Sequence, residues 1–312
     1  MKYKNIRNLL YGTPHMIRDG KLQEICSLIE ARAEGEELEF EDVVEQPQTQ
    51  LLSAATGLEM ASQSGNGNFH SGNLIAIVPL FGTMMQHSIV HDASGGTSTE
   101  QLSNELRRLD ADPQVGSIVL EVHSPGGQVY GAFELAQQVR DLGTRVVSVA
   151  NSEMASAALL VGTAADEVFG TTGASVGSIG VVTVHTDVSK AEQAAGISTT
   201  VIAEPPAKAS GNPFEPLSQE TLLEIQADIR ETYNQFKGFV AASRGVTPEA
   251  VEANYGAGRM LTAEQAFSVG LIDGIQTKQQ VVDRERARIQ SPKKSNNSNR
   301  LKLTKLQPHG SA

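Results

Sequence analysis

The sequence predicts an α/β protein with a largely parallel sheet built from repeated βαβ units. Three observations lead there. Short aliphatic runs, 74–80, 116–122 and 145–150, have the length and composition of buried strands. Amphipathic stretches of helical period separate them. The composition is 39% hydrophobic but only 4% aromatic, with no Trp, so the core must be aliphatic and alanine-rich. Strands that alternate with helices at this spacing pair in parallel through right-handed crossovers.

Each element has its own signal. Leu22, Ile25, Leu28 and Ile29 recur at helical spacing within residues 1–35. An acidic patch follows, 34–45, and then a polar stretch, 46–72, whose Ser62-Gln-Ser-Gly-Asn-Gly-Asn run reads as a flexible linker. The strand 74–80 is followed by a Gly/Ser-rich loop, 87–99. Ser98 or Thr99 caps a helix that carries Leu102, Leu106 and Leu109 on one face. The strand 116–122 ends in His123-Ser-Pro-Gly-Gly and leads into a helix over 129–142. The strand 145–150 precedes Ser156, which opens another helix. Val168-Phe169 and 179–182 read as further short strands. A long amphipathic helix spans 218–243, with Leu222, Ile225, Ile229, Phe236 and Val240 on one side. The run 260–274 combines a Thr cap, a helix and a closing Gly-Leu-Ile strand. The chain thus divides into an N-terminal helical extension and linker, 1–72, a main domain, 73–276, and a basic, disordered tail, 277–312.

Net charge is −11, divided as +7 from Arg284 onward and −18 over the rest. An acidic body argues against a specific nucleic-acid partner. The tail's Ser/Asn/Lys composition suits a solvated segment. Cys26 is the one cysteine, which excludes an intrachain disulfide and fits a reducing cytoplasm. No stretch approaches the ~20 apolar residues of a membrane span, and no signal-peptide pattern is present. The seven histidines fall in no ligand spacing, so neither a metal nor a cofactor is expected.

Two residues 52 positions apart, Ser156 and Lys208, have neighbours that suit catalysis. Ser156 lies among alanines at a strand-to-helix turn, where helix N–H groups face the side chain. A helix-start serine is more commonly an N-cap. A serine hydroxyl needs a base before it attacks a carbonyl. Lys208, between Pro205-Pro206-Ala207 and Ala209, has no charge within three residues. A lysine acting as base must be neutral, which takes burial and hydrogen bonding, whereas a single loop lysine is ordinarily solvated. Gly126 and Gly127 follow a strand and a proline, where their N–H groups, with that of Ala157, can form an oxyanion hole. On its own, Pro-Gly-Gly is mostly a tight turn. Ser178, in Gly177-Ser-Ile-Gly, is placed to hold the amine. A histidine alternative uses His185, 29 residues after Ser156, with Asp187. Residues two apart on one strand point the same way, so Asp187 is badly placed to orient His185. His123 is a second histidine candidate.

The order of these pieces resembles the signal peptide peptidase A family of Ser/Lys proteases, in its phage prohead (capsid assembly) branch. The resemblance covers about 73–276. It rests on Ser-Pro-Gly-Gly at 124–127, Ala155-Ser156, Gly-Ser-Ile-Gly-Val at 177–181, Lys208, and Leu-Thr-Ala-Glu-Gln-Ala to Gly-Leu-Ile-Asp at 261–273. The segments Val184-His-Thr-Asp-Val-Ser-Lys and Gly211-Asn-Pro-Phe-Glu-Pro-Leu-Ser resemble the phage branch in particular, as does the N-terminal Leu-Leu-Tyr-Gly-Thr-Pro. The resemblance implies the Clp protease/crotonase fold, with Ser156 as nucleophile, Lys208 as general base, Ser178 as the residue orienting the lysine, and Gly126 or Gly127 as oxyanion donor. It also implies a homo-oligomer whose site is completed across subunits. The expected substrates are scaffold, capsid and portal proteins, in the host cytoplasm within proheads. Two departures stand out. Ser-Ala-Ala-Leu replaces the family's usual Ser-Gly-Gly-Tyr, and His123 precedes Ser-Pro-Gly-Gly where Asp or Asn is common. The alternatives are a bacterial signal-peptide-degrading peptidase, an acyl-CoA enzyme of the crotonase type that uses the oxyanion hole without a covalent serine, and a non-catalytic scaffold.

Overall fold

The computed structural model describes residues 13–18, 20–22, 27, 47–60, 72–87 and 96–291. Thirteen strands are described, numbered here in chain order. The central ones are β4 (Leu74–Phe81), β7 (Val115–Ser124), β9 (Val146–Ala155), β10 (Glu167–Gly170) and β11 (Ser175–Gly177). β4 pairs with β7, β7 with β9, and β9 with both β10 and β11, all in parallel. The predicted parallel α/β arrangement is what the chain adopts. Two antiparallel strands flank it. β2 (Gln50–Ser53) pairs with β4 and with β3 (Glu59–Met60), while β12 (Met260–Thr262) pairs with β11. β13 (Gly274–Ile275) adds to β10 in parallel. A second, four-stranded sheet joins β1 (His15–Ile17), β8 (Gly126–Gln128), β5 (Thr83–Met85) and β6 (Gly96–Ser98) in that order.

Helices cover both faces of the central sheet. On one face lie α1 (Thr99–Ala111), α2 (Ala132–Asp141) and α3 (Ala157–Gly162). Leu102, Leu106 and Leu109 of α1, and Leu135, Ala136 and Val139 of α2, enter the main core with Leu120, Val122 and Ala150 from the strands. Ser98 caps α1 by accepting from the Gln101 N–H, one of the two caps expected. α3 is buried along its whole length, which is why its sequence, Ala-Ala-Leu-Leu-Val-Gly, carries no polar face. Toward the C-terminus come α4 (Ser189–Ala194), α5 (Gln219–Arg244), α6 (Pro248–Asn254), α7 (Ala263–Ser268) and α8 (Lys278–Gln290).

The structure departs from the expected boundaries at both ends. Gln50–Ser53 and Glu59–Met60, read as linker, form a hairpin on the edge of the main sheet. His15–Ile17 is a strand that pairs antiparallel with Gly126–Gln128. Such two- to four-residue strands are too short to show alternation. Ile25, Leu28 and Ile29 of the expected N-terminal helix lie outside the described residues, as does Cys26. At the other end the folded chain continues past 276. α8 lies against the opposite face of the sheet, where Val281 and Val282 pack with Ile75, Ile77, Val119 and Val149. Its arginines give it the composition of a tail, yet they bind acids. Buried Glu285 accepts from Ser117 Oγ (2.8 Å), Arg145 Nε (3.2 Å) and Arg288 Nε (2.7 Å). The remainder of the expected tail, 292–312, lies outside the described residues. The closing strand is Gly274–Ile275 rather than Gly270–Ile272, and 179–182 is an extended segment that forms an isolated bridge between Val182 and His15.

One part of the chain stands apart from the core. No residue from Gly180 to Glu220 is buried. Leu222, Ile225 and Ile229 of α5 are only partly covered, whereas Phe236 and Val240 further along the same helix are fully enclosed. The apolar stripe of α5 thus reaches beyond the body it packs on.

Candidate active site

Ser156 is the residue between β9 and α3. Its backbone, at φ 54° and ψ −116°, is in a conformation that costs a non-glycine residue about 1–3 kcal/mol. Two bonds hold it there. Its N–H donates to the Gly177 carbonyl (2.8 Å), and its carbonyl accepts from the Leu160 N–H (3.0 Å). The side chain makes no capping bond, so the common role of a helix-start serine is not the one it plays. Its Oγ instead lies 3.5 Å from the Gly180 carbonyl, and the residue is wholly enclosed.

The glycine turn sits directly beside it. Ser124 Oγ donates to the Gly82 carbonyl (2.6 Å) and accepts from the Gly126 N–H (3.2 Å), which fixes the turn. That bond occupies the Gly126 amide and leaves Gly127 and Ala157 as the other candidate oxyanion donors. Gly126 has φ 92°, and a Cβ there would stand 3.0 Å from the Ala157 nitrogen. A Cβ on Gly127 would stand 1.9 Å from the Met84 carbonyl oxygen. Both positions demand glycine for space, not only for the turn. The motif contains Ser124 without assigning it a role. Its signal, a strand-end serine before Pro-Gly-Gly, is that of a side chain that braces a turn.

Ser178 is brought to the same place by register. β11 pairs Gly177 with Ala155, so Ser156 and Ser178 leave adjacent strands side by side. Ser178 also has a positive φ, 57°, is 4% exposed, and donates its N–H to the Arg259 carbonyl (2.9 Å). The Gly177 carbonyl that holds Ser156 thus belongs to the turn that carries Ser178.

Lys208 is not enclosed with them. It sits exposed in the 3₁₀ turn Pro206–Ala209, on the projecting arm, with its N–H bonded to the Pro205 carbonyl (3.0 Å). Among the described residues no hydrogen bond or ion pair joins it to Ser156 or Ser178. The histidine alternatives have other partners. His185 Nε2 lies 3.1 Å from the Asn212 carbonyl, and Asp187 accepts from the Ser189 N–H (2.9 Å). The bonds from Ser189 hold the Asp187 carboxyl below its usual range. His123 is exposed, with its ring 5.9 Å from that of Phe81. Among the described residues no three His, Cys, Asp or Glu side chains are grouped to hold a metal ion. No helix of the described residues is long and apolar enough to cross a membrane.

An α/β protein with an enclosed, strained serine between two glycine turns is thus the class that fold and site define. Residues 138–290 match the profile of Peptidase family S49. Among curated proteins, "Capsid assembly protease C" of Escherichia phage lambda is 31% identical over 205 residues, covering 64% of this chain and 46% of that protein. "Head-tail preconnector protein GP5" of Enterobacteria phage P21 is 31% identical over 205 residues, covering 64% of this chain and 40% of that protein. The chain therefore spans about half the length of the curated relatives it matches. Among solved structures, a point mutant of ClpP1 from Listeria monocytogenes superposes with a TM-score of 0.43 at 16% identity, covering 66% of this chain and 94% of that one.

Proposed function

We propose that this chain is a serine endopeptidase of the Ser/Lys type that acts on protein substrates during phage head assembly. The observation that supports it most is the position of Ser156, strained and uncapped beside Gly126-Gly127 and Ser178, within the segment matched to Peptidase family S49. In this mechanism Ser156 Oγ attacks the scissile carbonyl and its proton passes to the neutral Lys208 amine. The amides of Gly127 and Ala157 hold the developing oxyanion, with Gly126 shaping the turn. Lys208 then returns the proton to the leaving amine, and water, deprotonated by the same lysine, resolves the acyl-enzyme. Ser178 orients the lysine Nζ.

In this reading Lys208 meets the serine of a neighbouring copy in a homo-oligomer, where the arm of one copy docks on the next. Exposed Ile197, Ile202 and Leu223 on and beside that arm support this assembly. The names of the two phage relatives, a capsid assembly protease and a head-tail preconnector protein, support proteins of the phage head as substrates; the proposed ones are scaffold, capsid and portal proteins, processed in the host cytoplasm within proheads. The catalytic unit is taken to include the N-terminal strands and to run to Gln290.

The test is cleavage of co-expressed scaffold protein by the parent chain and by Ser156→Ala and Lys208→Ala, together with labelling by a fluorophosphonate. Loss of cleavage in both variants and labelling at Ser156 are expected. Cleavage retained in Lys208→Ala would remove the dyad and return His185 to consideration. An acyl-CoA enzyme of the crotonase type would leave Ser156 unlabelled.

A further inference from the structure

The strip 13–18 lies where an extended peptide would have to lie to meet Ser156. Strand β1 runs antiparallel to β8, pairing His15 with Gln128, Met16 with Gly127 and Ile17 with Gly126. Arg18 donates its N–H to the Pro125 carbonyl (2.7 Å), and Pro14 accepts from the Val129 N–H (3.4 Å). The opposite edge of the strip is bonded as well. His15 and Val182 exchange N–H to carbonyl bonds of 2.8 and 2.9 Å, and Thr183 Oγ1 donates to the Thr13 carbonyl (3.2 Å). The strip is therefore the middle strand between the glycine turn and the segment that follows Ser178. Arg18 is further tied to Glu153 by an ion pair of 2.9 Å.

Its contact with the catalytic candidates is close. An ideal Cβ on Gly126 would meet the Met16 carbonyl oxygen at 2.2 Å, the Ala155 oxygen at 2.9 Å and the Ala157 nitrogen at 3.0 Å. The Met16 carbonyl thus packs against Gly126, at the turn that also neighbours the Ala157 amide. The Met16 side chain is fully buried and belongs to the main hydrophobic core. Three short strands bonded on both edges are how a protein takes up an extended peptide by strand addition.

Resting on the serine-peptidase assignment above, we infer that residues 13–18 are an internal substrate mimic that closes the peptide channel between β8 and Val182–Thr183. A substrate enters by displacing the strip and adds as the same middle strand. The pocket filled by Met16 takes a large apolar side chain of the residue whose carbonyl Ser156 attacks. The enclosure of Ser156 follows from this occupancy.

Two full-length variants test it in opposite directions. Met16→Asp puts a charge in the apolar pocket and releases the strip. His15→Cys with Val182→Cys, in a Cys26→Ala background, joins the strip to its neighbour at a hydrogen-bonded pair, where Cα spacing suits a disulfide. Cleavage of fluorescein-labelled casein is measured for each, with the rate of fluorophosphonate labelling at Ser156. If the strip is closed about nine-tenths of the time, release raises kcat/KM and labelling about tenfold. The oxidised cysteine pair falls well below the parent and recovers with dithiothreitol. A synthetic peptide of sequence Tyr-Gly-Thr-Pro-His-Met-Ile-Arg-Asp-Gly, residues 11–20, inhibits the released variant. Should Met16→Asp fail to fold, the cysteine pair decides alone. Equal rates for the oxidised and reduced cysteine pair, with cleavage still abolished by Ser156→Ala, would overturn the mimic and leave the peptidase assignment standing. No labelling and no cleavage in any form, reduced or released, would overturn both.

Discussion

Ser156 holds a backbone conformation that glycine adopts at less cost than any residue with a Cβ. Removing its hydroxyl in two ways therefore has two outcomes. Ser156→Ala and Ser156→Gly should both abolish peptide hydrolysis, but the glycine variant should be the more stable by about 1 kcal/mol, after its greater unfolded entropy is counted. Thermal unfolding of the pair measures this, and equal stability would mean that the turn carries no strain. Gly127 is the opposite case, since a Cβ there has no room against the Met84 backbone. Gly127→Ala should cost about 3 kcal/mol through backbone displacement, with loss of cleavage beyond what instability explains. These positions were legible in the sequence because strand ends, proline and glycine set them locally. Lys208 was legible only by resemblance, because its neighbours fix a turn but not where the arm that carries it comes to rest. The local half of the role of Ser124, its bond from the Gly126 amide two residues on, was legible in the motif, whereas its bond to the Gly82 carbonyl was not, because that partner is 42 residues away in sequence.

Helices and strands were legible in proportion to their length and to the share of their faces that is apolar. The helix with Leu102, Leu106 and Leu109, and the parallel strands, carry a period that burial requires. α8 does not, since Val281, Val282 and Glu285 are its buried residues and arginines crowd the rest. Its attachment rests partly on a buried acid. Burial pushes the Glu285 carboxyl up, but hydrogen bonds from Arg288 and Ser117 and the charge of Arg145 outweigh it and hold the group below its usual range. Arg145 is shared with Glu167, which also pairs with Arg284 at 2.5 Å. A carboxyl whose pKa is lowered by folding stabilises the native state above its unfolded value of about 4.3, and that contribution fades as pH falls through the folded value. Glu285→Gln should thus destabilise by about 2 kcal/mol near neutral pH, where half-buried Arg145 and exposed Arg288 lose the charged acceptor they share. The gap in melting temperature from the parent should narrow below about pH 4. A gap that stayed constant down to pH 3 would assign the effect to packing alone. Removal of residues 277–290 should destabilise the central sheet rather than trim a tail, because Ile75, Ile77 and Val119 on one of its faces would be left facing water.

The molecule as a whole has a compact body that holds Ser156 and Ser178 and a projecting arm that holds Lys208. No residue of that arm from Gly180 to Glu220 is buried, and Ile202 is 92% exposed. A chain that leaves such apolar side chains in water gains by covering them with a second copy. If the neighbour's body is what they cover, each catalytic site takes its serine from one copy and its lysine from the next. Ser156→Ala chains then retain a working lysine, and Lys208→Ala chains a working serine, although neither assembles an active site alone. Mixing the two inactive variants should regenerate cleavage to a fraction of the parent rate, because only junctions that pair the intact serine with the intact lysine work. The regained activity should rise with protein concentration, as an associating system requires. Exchange of Ile202 and Leu223 for Asp should lower both the assembly state, read by analytical ultracentrifugation, and the activity, while leaving the thermal unfolding of the body near that of the parent. Failure of the mixture, with both variants folded and the parent active, would put serine and lysine on one chain. The arm would then have to fold back over its own body.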